Sequence, residues 1–209
     1  MRSLGASVFA LAVLTAQAPT PLPTPTPDEA ALAAVEHVSR ANAPLSRFTF
    51  DVVCHIALHS FPWIHLTLHG HGAYVRGGEY KVHFDDPPWY AHGLDTLPMD
   101  ALDTSTWAST YYLSFLGREG NVSTILMHII KPSRLIDARA QLDSVEGVRD
   151  LLFTYDYGHL KIHVDPQNIE GFYLPESEEA EIVTPQYRAS VSATFTNYHL
   201  ERDNSGAAP

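Results

Sequence analysis

The sequence predicts an α+β, mainly β domain: a strongly curved antiparallel sheet of about ten strands, an incomplete barrel, with helices covering its concave face. Three observations predict it. Apolar and polar residues alternate from Phe48 almost to the C-terminus, as in a sheet with one face packed and one face wet. Only two stretches carry helix signals. Nine or ten consecutive antiparallel strands also present more apolar surface than two short helices readily cover, so the sheet must wrap around something.

The chain has 209 residues and opens Met1-Arg2, followed by an apolar run from Leu4 to Leu14 and then Ala16-Gln17-Ala18. This is the pattern of a secretory signal peptide over residues 1–18. The run is too short for a permanent membrane helix, which takes about 20 apolar residues. Residues 19–27 alternate Pro with Thr or Leu and form a stiff, extended spacer without a core. One domain is expected over 28–200, with a flexible tail over 201–209.

The 13 basic and 24 acidic residues give a formal charge of −11. That balance argues against nucleic acid as a partner and against adsorption to anionic lipid surfaces. The single cysteine, Cys54, cannot form an internal disulfide. It falls among the apolar positions and reads as a small buried hydrophobe.

The elements follow in order. Thr26-Pro27-Asp28-Glu29 offers an N-cap, a proline at the first helical position and a capping-box glutamate. Leu32, Val35 and Val38 form one helical stripe, which Pro44 ends. In the first strand Phe48, Phe50, Val52, Cys54, Ile56 and Leu58 share one face, and Asp51, His55 and His59 the other. After Phe61-Pro62 the second strand sets Ile64, Leu66, Leu68 and Tyr74 against His65, Thr67, His69 and His71. A five-residue connection over 60–64 places His59 opposite His65 and His55 opposite His69. At Gly77-Gly78 a three-residue loop with a bulge keeps Tyr80 on the apolar face, because a one-residue slip would expose the whole set.

Tyr80-Val82-Phe84 is the third strand, and Asp85-Asp86-Pro87-Pro88-Trp89 breaks the sheet. A second helical signal starts near Pro98, with Leu102 and Trp107 as its apolar contacts. Further strands are expected over 111–115, 122–130, 135–142, 151–157 and 160–164. Phe172 to Pro175 forms a short strand before an acidic loop containing Glu176, Glu178, Glu179 and Glu181. The last strand, 188–199, sets Val191, Ala193 and Phe195 against Ser190, Ser192 and Thr194.

Catalytic signals are absent. There is no Gly-x-Ser-x-Gly, phosphate-binding glycine loop, His-Glu-x-x-His or cysteine pair for zinc, so neither catalysis nor a cofactor is expected. The acidic pairs Asp85-Asp86 and Glu178-Glu179 read as solvated surface. Twelve histidines are the unusual chemical feature. His55, His59, His65 and His69 are weak metal candidates, since cross-strand imidazoles about 5 Å apart at Cβ can hold zinc or copper weakly. A structural zinc site wants four ligands. The same face also reads as a solvated polar surface or as one that responds to pH near 6.5.

The aromatic residues Phe48, Phe50, Trp63, Tyr80, Phe84, Trp89, Trp107, Tyr111, Phe115 and Phe172 lie on or beside the apolar face. A wide curved sheet with this lining points to a ligand cavity. The residues expected to bind ligand are Phe48, Phe50, Val52, Ile56, Leu66, Leu68, Tyr80, Phe84 and Trp89.

In that order, several phrases resemble the LolA/LolB superfamily. A helix leads to "PLSRFTFDVV" and a Gly-rich hairpin, then "KVHFDDPPW", "TILMHIIKP", "FTYDYGHLKIHV" and "IEGFYLP". The resemblance covers most of Asp28 to Leu200. It implies a bent, incomplete barrel with helices as a lid over an apolar cavity. It also implies non-enzymatic binding of acyl chains or lipidated protein in the periplasm or outside the cell, with a membrane-bound donor or acceptor protein as a further partner. No lipobox cysteine is present, and the histidine-rich face is not part of the family pattern. Two readings stay open beside the carrier: a sensor or protein-interaction domain with a collapsed cavity, and a metal-binding protein that uses the histidine face.

Overall fold

The computed structural model describes residues 28–61, 63–88, 96–131 and 134–203. The expected signal peptide and spacer, Trp89 and residues 204–209 lie outside them. Asp28 is the N-cap of helix α1 (Glu29–Ala41), accepting from Ala30 N at 2.9 Å. The cap expected at Thr26 falls outside the described residues. Ala31, Val35 and Val38 are the buried stripe of α1.

The strands are β1 (Leu45–Leu58), β2 (His65–Val75), β3 (Tyr80–Phe84) and β4 (Thr96–Pro98), then β5 (Tyr111–Glu119), β6 (Val122–Ile129) and β7 (Leu135–Asp143). They are followed by β8 (Gly147–Tyr155), β9 (Gly158–Ile169), β10 (Phe172–Val183) and β11 (Arg188–Arg202). They form one eleven-stranded antiparallel sheet in the order β4-β3-β2-β1-β11-β10-β9-β8-β7-β6-β5, which does not close into a barrel. Sequential hairpins account for this order except at β1–β11, where the first strand meets the last. Between β4 and β5 run two 3₁₀ turns (Asp100–Leu102 and Thr104–Thr106) and the one-turn helix α2 (Trp107–Thr110).

Tyr80 faces inward, as the three-residue loop required. It sits opposite Tyr74, and Gly77 takes φ +67°. Gly70 and Gly72 bring β2 close to the rings beside it. A Cβ at Gly72 would lie 2.0 Å from the Phe50 ring, and one at Gly70 would lie 2.3 Å from the His83 carbonyl oxygen.

Several expectations are corrected. The β1–β2 connection runs from His59 to Ile64 through two tight turns, Phe61 N to Leu58 O and Ile64 N to Phe61 O. The pairing is therefore displaced: Ala57 faces His65, His55 faces Thr67 and Val53 faces His69. Each histidine keeps its face, but the expected pairs His59/His65 and His55/His69 do not form. The acidic segment after Pro175 is the second half of β10, not a loop, because its backbone pairs on both sides, with β9 and β11. Strand β11 continues to Arg202, where it pairs with Leu45, three residues past the expected strand end at His199. Trp63 is 76% exposed rather than part of the apolar face.

The core divides into two clusters. One gathers Phe48, Phe50, Val52, Leu68 and Phe84 from β1–β3 with Phe172 and Phe195 from β10 and β11. The other packs the α1 stripe and Trp107 onto Leu113, Ile125, Leu142 and Leu151 of β5–β8. Leu102, in the first 3₁₀ turn, touches both.

Candidate functional site: a cavity between two cores

Where the two clusters meet, a cavity of about 500 Å³ opens beneath the C-terminal half of α1. Val35 and Val38 of α1 and Leu102 form its roof; Leu45, Phe48, Tyr74, Tyr80, Val148, Val164 and Leu174 form its walls and floor. Its volume falls in the range of about 300–1,000 Å³ usual for small-molecule sites. Phe48 and Tyr74 stack at 4.9 Å, and Tyr80 stands edge-on to them at 5.7 and 5.5 Å. Such mutual packing holds the aromatic wall open as a rigid surface.

The rim is polar. Arg40 pairs with Glu36 at 2.7 Å. Arg76 donates to the carbonyls of Asn42 and Leu45. Asp103 accepts from Ser105 N at 3.1 Å and Ser105 Oγ at 2.5 Å, and Glu146 pairs with Arg149 at 2.6 Å. Ser39 Oγ donates to the Val35 carbonyl and shares a second hydrogen bond with Thr104 Oγ1, at 2.9 Å each, tying the helix to the second 3₁₀ turn. At the other end of α1, Asp28 Oδ2 accepts from Phe115 N, and Asp28 N donates to Leu113 O. These backbone donors, Phe115 first and then Ala30, hold the Asp28 carboxyl below its ordinary range. Burial raises the Tyr74 phenol, and the Asp103 carboxylate adds to the effect.

A second buried ionisable group lies on the concave side of β10. A register shift between Pro175 and Ser177 turns Glu178 inward, between Val164 of β9 and Ala193 of β11. Its Oε1 is shielded from solvent and has no hydrogen-bond partner, and burial pushes the carboxyl up to about 8. Burial, then the nearby Glu178 carboxyl, pushes the Cys54 thiol up to about 11. The same two causes raise Tyr198, whose hydroxyl donates to Pro175 O at 2.7 Å. Glu178 is thus not the solvated residue its acidic surroundings led us to expect.

Of the residues expected to bind ligand, Phe48 and Tyr80 line the cavity. Phe50, Val52, Leu68 and Phe84 belong to the same packed cluster without lining it, and Ile56 and Leu66 pack against its edge. Trp89 lies outside the described residues. A second hollow of about 550 Å³ is bordered by His55, His59, His65 and His163, by Lys161, Glu179 and Glu181, and by Ile56 and Leu66 from the residues expected to bind ligand. There His55 Nδ1 meets Thr67 Oγ1 and His163 Nδ1 meets Asp150 Oδ1, at 2.9 Å each. Among the described residues no three histidine, cysteine or acidic side chains converge as a metal would need.

No family model matches the chain, and no curated protein matches it. Solved structures do. A LolA superfamily protein from Nitrosomonas europaea aligns over 82% of this chain and 93% of its own, with TM-score 0.59 and 10% identity. A DUF1329 family protein from Desulfovibrio piger aligns over 85% and 95%, with TM-score 0.57 and 12% identity. A putative outer membrane lipoprotein-sorting protein domain from Vibrio parahaemolyticus aligns over 85% and 95%, with TM-score 0.57 and 9% identity. The fold is LolA-like, as the ordered phrases in the sequence implied.

Proposed function

We propose that the protein is an exported, non-enzymatic carrier that holds an acyl chain, free or attached to protein, in the cavity beneath α1. One observation carries the reading: a hollow of about 500 Å³ lies at the seam of the two cores, lined by Val35, Val38, Leu45, Phe48, Val148, Val164 and Leu174 together with polar groups such as Glu36, Arg76 and Asp103. A sensor domain of the same fold would need no such space. The leader-like N-terminus and the lipoprotein-sorting description of one structural neighbour support the same reading.

Uptake works by a hinged lid. Asp28 fixes the start of α1 to β5, while the far end of the helix is held by the Ser39–Thr104 hydroxyl bond and by Arg76. Parting these few polar contacts opens the seam. An acyl chain of about 14 carbons offers roughly 11 kcal/mol gross, at about 0.8 kcal/mol per buried methylene. Association costs of several kcal/mol leave an affinity low enough for transfer to a membrane-bound donor or acceptor protein.

The test is mass spectrometry of organic extracts from the untagged protein, with Leu102→Glu as the cavity-disrupted control, its fold checked by circular dichroism. Stoichiometric acyl lipid with the wild type alone is expected. An empty wild type that also takes up no added acyl chain would overturn the proposal.

A further inference from the structure

The exposed phenylalanine, tyrosine and tryptophan side chains of the described residues gather at one end of the sheet. Phe61 and Trp63, in the β1–β2 turn, are 46% and 76% exposed and pack edge to face on each other, 5.8 Å apart. Tyr187 stands exposed in the β10–β11 turn and Tyr157 in the β8–β9 turn. The three turns are neighbours. His59 N donates to the Arg188 carbonyl at 2.8 Å, and Gly158 approaches Val183 so closely that a Cβ would lie 2.1 Å from its carbonyl oxygen. Towards the opposite end of the strands the exposed large apolar residues are aliphatic, Val75, Leu116 and Val145.

Histidines stand beside these rings. His59 follows β1, His65 opens β2 and His159 lies at the start of β9, with His55 four residues back along β1. All four are exposed, and among the described residues no carboxylate forms an ion pair with any of them. The fixed charges around them nearly cancel. Glu181 pairs with Arg188 at 2.7 Å and has Lys161 opposite it on β9. Arg134 pairs with Asp156 at 3.6 Å, beside the Tyr157 ring. Glu179 faces His163, which is already held by Asp150 at 2.9 Å and Asp165 at 3.4 Å. At neutral pH this end therefore carries a small negative balance. Imidazoles take up protons as pH falls past about 6.5, and four new charges without carboxylate partners turn the balance positive. The formal charge of −11 counts every histidine as neutral, so it does not describe this end in acid.

We propose that this end of the sheet docks on an anionic membrane surface in mild acid and releases it as pH returns to neutral. Tryptophan and tyrosine belong at the boundary between lipid head groups and acyl chains, with the ring in the apolar side and the polar tip in the wet one. Rings at the tips of neighbouring turns can enter that boundary together, while the protonated imidazoles around them meet the lipid phosphates. The acidic remainder of the chain is repelled, which orients the molecule with this end towards the lipid. The cavity beneath α1 lies towards the other end, beside Arg76 and Glu146. Docking leaves it uncovered, and the inference stands apart from the identity of its guest.

Flotation of the full-length protein with vesicles tests this, using mixed phosphatidylcholine–phosphatidylglycerol and pure phosphatidylcholine at pH 5.5 and 7.5. Binding to the mixed vesicles should be about tenfold stronger at pH 5.5, from the charges gained near the surface. His59→Gln with His65→Gln should remove most of that gain. His37→Gln with His199→Gln, an equal loss of histidines away from this end, should keep it. Phe61→Ser with Trp63→Ser should weaken binding at pH 5.5 by about fivefold or more. Wild-type tryptophan emission should shift to the blue on the mixed vesicles, and Trp63→Phe should abolish the shift. Every substituted side chain is exposed, and circular dichroism checks each fold. The N-terminal apolar run is common to all variants, so its contribution cancels between them. Equal binding at the two pH values overturns the proposal. So does a gain that both histidine variants lose alike, since net charge alone would then explain it. Absence of binding to the mixed vesicles at pH 5.5 overturns it too, and leaves the exposed rings to a protein partner. None of these results bears on acyl uptake, so the carrier reading stands or falls separately.

Discussion

Glu178→Gln separates a buried, neutral carboxyl from an ordinary surface glutamate. The folded carboxyl keeps its proton up to about pH 8, while the unfolded chain releases it near the ordinary 4.5. The folded state thus binds the extra proton across that interval. A raised carboxyl stabilises the fold at low pH, and its contribution declines as pH rises, by about 1.4 kcal/mol per unit. A fully realised shift amounts to roughly 5 kcal/mol. Water penetration around a residue that is only partly covered reduces this, so about 2–3 kcal/mol is expected. The facing groups do not interfere: burial raises Cys54, Tyr80 and Tyr198 alike, which keeps all three protonated below pH 9.

Urea denaturation of wild type and variant at pH 5, 7 and 9 provides the assay. Glutamine carries its own constant cost, which cancels between pH values, as do the histidines common to both proteins. The stability of the variant relative to wild type should therefore rise from pH 5 to pH 8 and then level. A difference that stays constant across the whole range would refute the buried, neutral Glu178.

Other outcomes follow from the geometry. Gly72→Ala drives a methyl group into the Phe50 ring, 2.0 Å from its nearest atom, and should destabilise the fold by about 1–3 kcal/mol in urea titration; wild-type stability would mean that the ring moves freely. Asp28→Asn should flatten the acid limb of the melting-temperature profile. A depressed carboxyl contributes stability above its ordinary 3.8 and loses it as pH falls through the lower folded value, and overlapping acid limbs would count against the cap. Trp63→Phe should remove a large part of the tryptophan emission quenched by acrylamide, since Trp63 is 76% exposed and Trp107 only 1%; unchanged quenching would place Trp63 inside.

What was legible in the sequence was the side of each strand, and what was not was the partner across it. Alternation fixed Phe48, Phe50, Val52 and Cys54 as inward, and all are buried. The same alternation is indifferent to loop length, so an error at His59–Ile64 left every face correct and every cross-strand histidine pair wrong. Composition misled at β10: Glu176, Glu178, Glu179 and Glu181 look like a solvated loop, yet Ala180 and Ile182 alternate with Glu179 and Glu181 as strand residues do. The inward turn of Glu178 depends on the register shift after Pro175, for which the local sequence has no clear mark.

The location of the cavity follows from dimensions. Eleven strands spaced about 4.8 Å apart make a sheet roughly 50 Å wide. Helix α1, with 13 residues, is about 20 Å long and about 10 Å across, so it covers a fraction of the concave face. It lies over β5–β8, where small Ala138 and Ala140 let its stripe approach. The other half, β1–β3 with β10 and β11, is covered from within. Phe48, Phe50, Tyr74, Tyr80 and Tyr198 fold onto the sheet and onto one another, and Gly70 and Gly72 make room for the rings. A helix standing on side chains and a layer of rings lying on backbone differ in height, and the two covers do not meet. The hollow between them runs along the line where Leu102 touches both clusters. Filling it would take a longer helix or larger residues at Val35, Val38 and Val148. The sequence instead keeps valine at all three positions, and that leaves room for a guest.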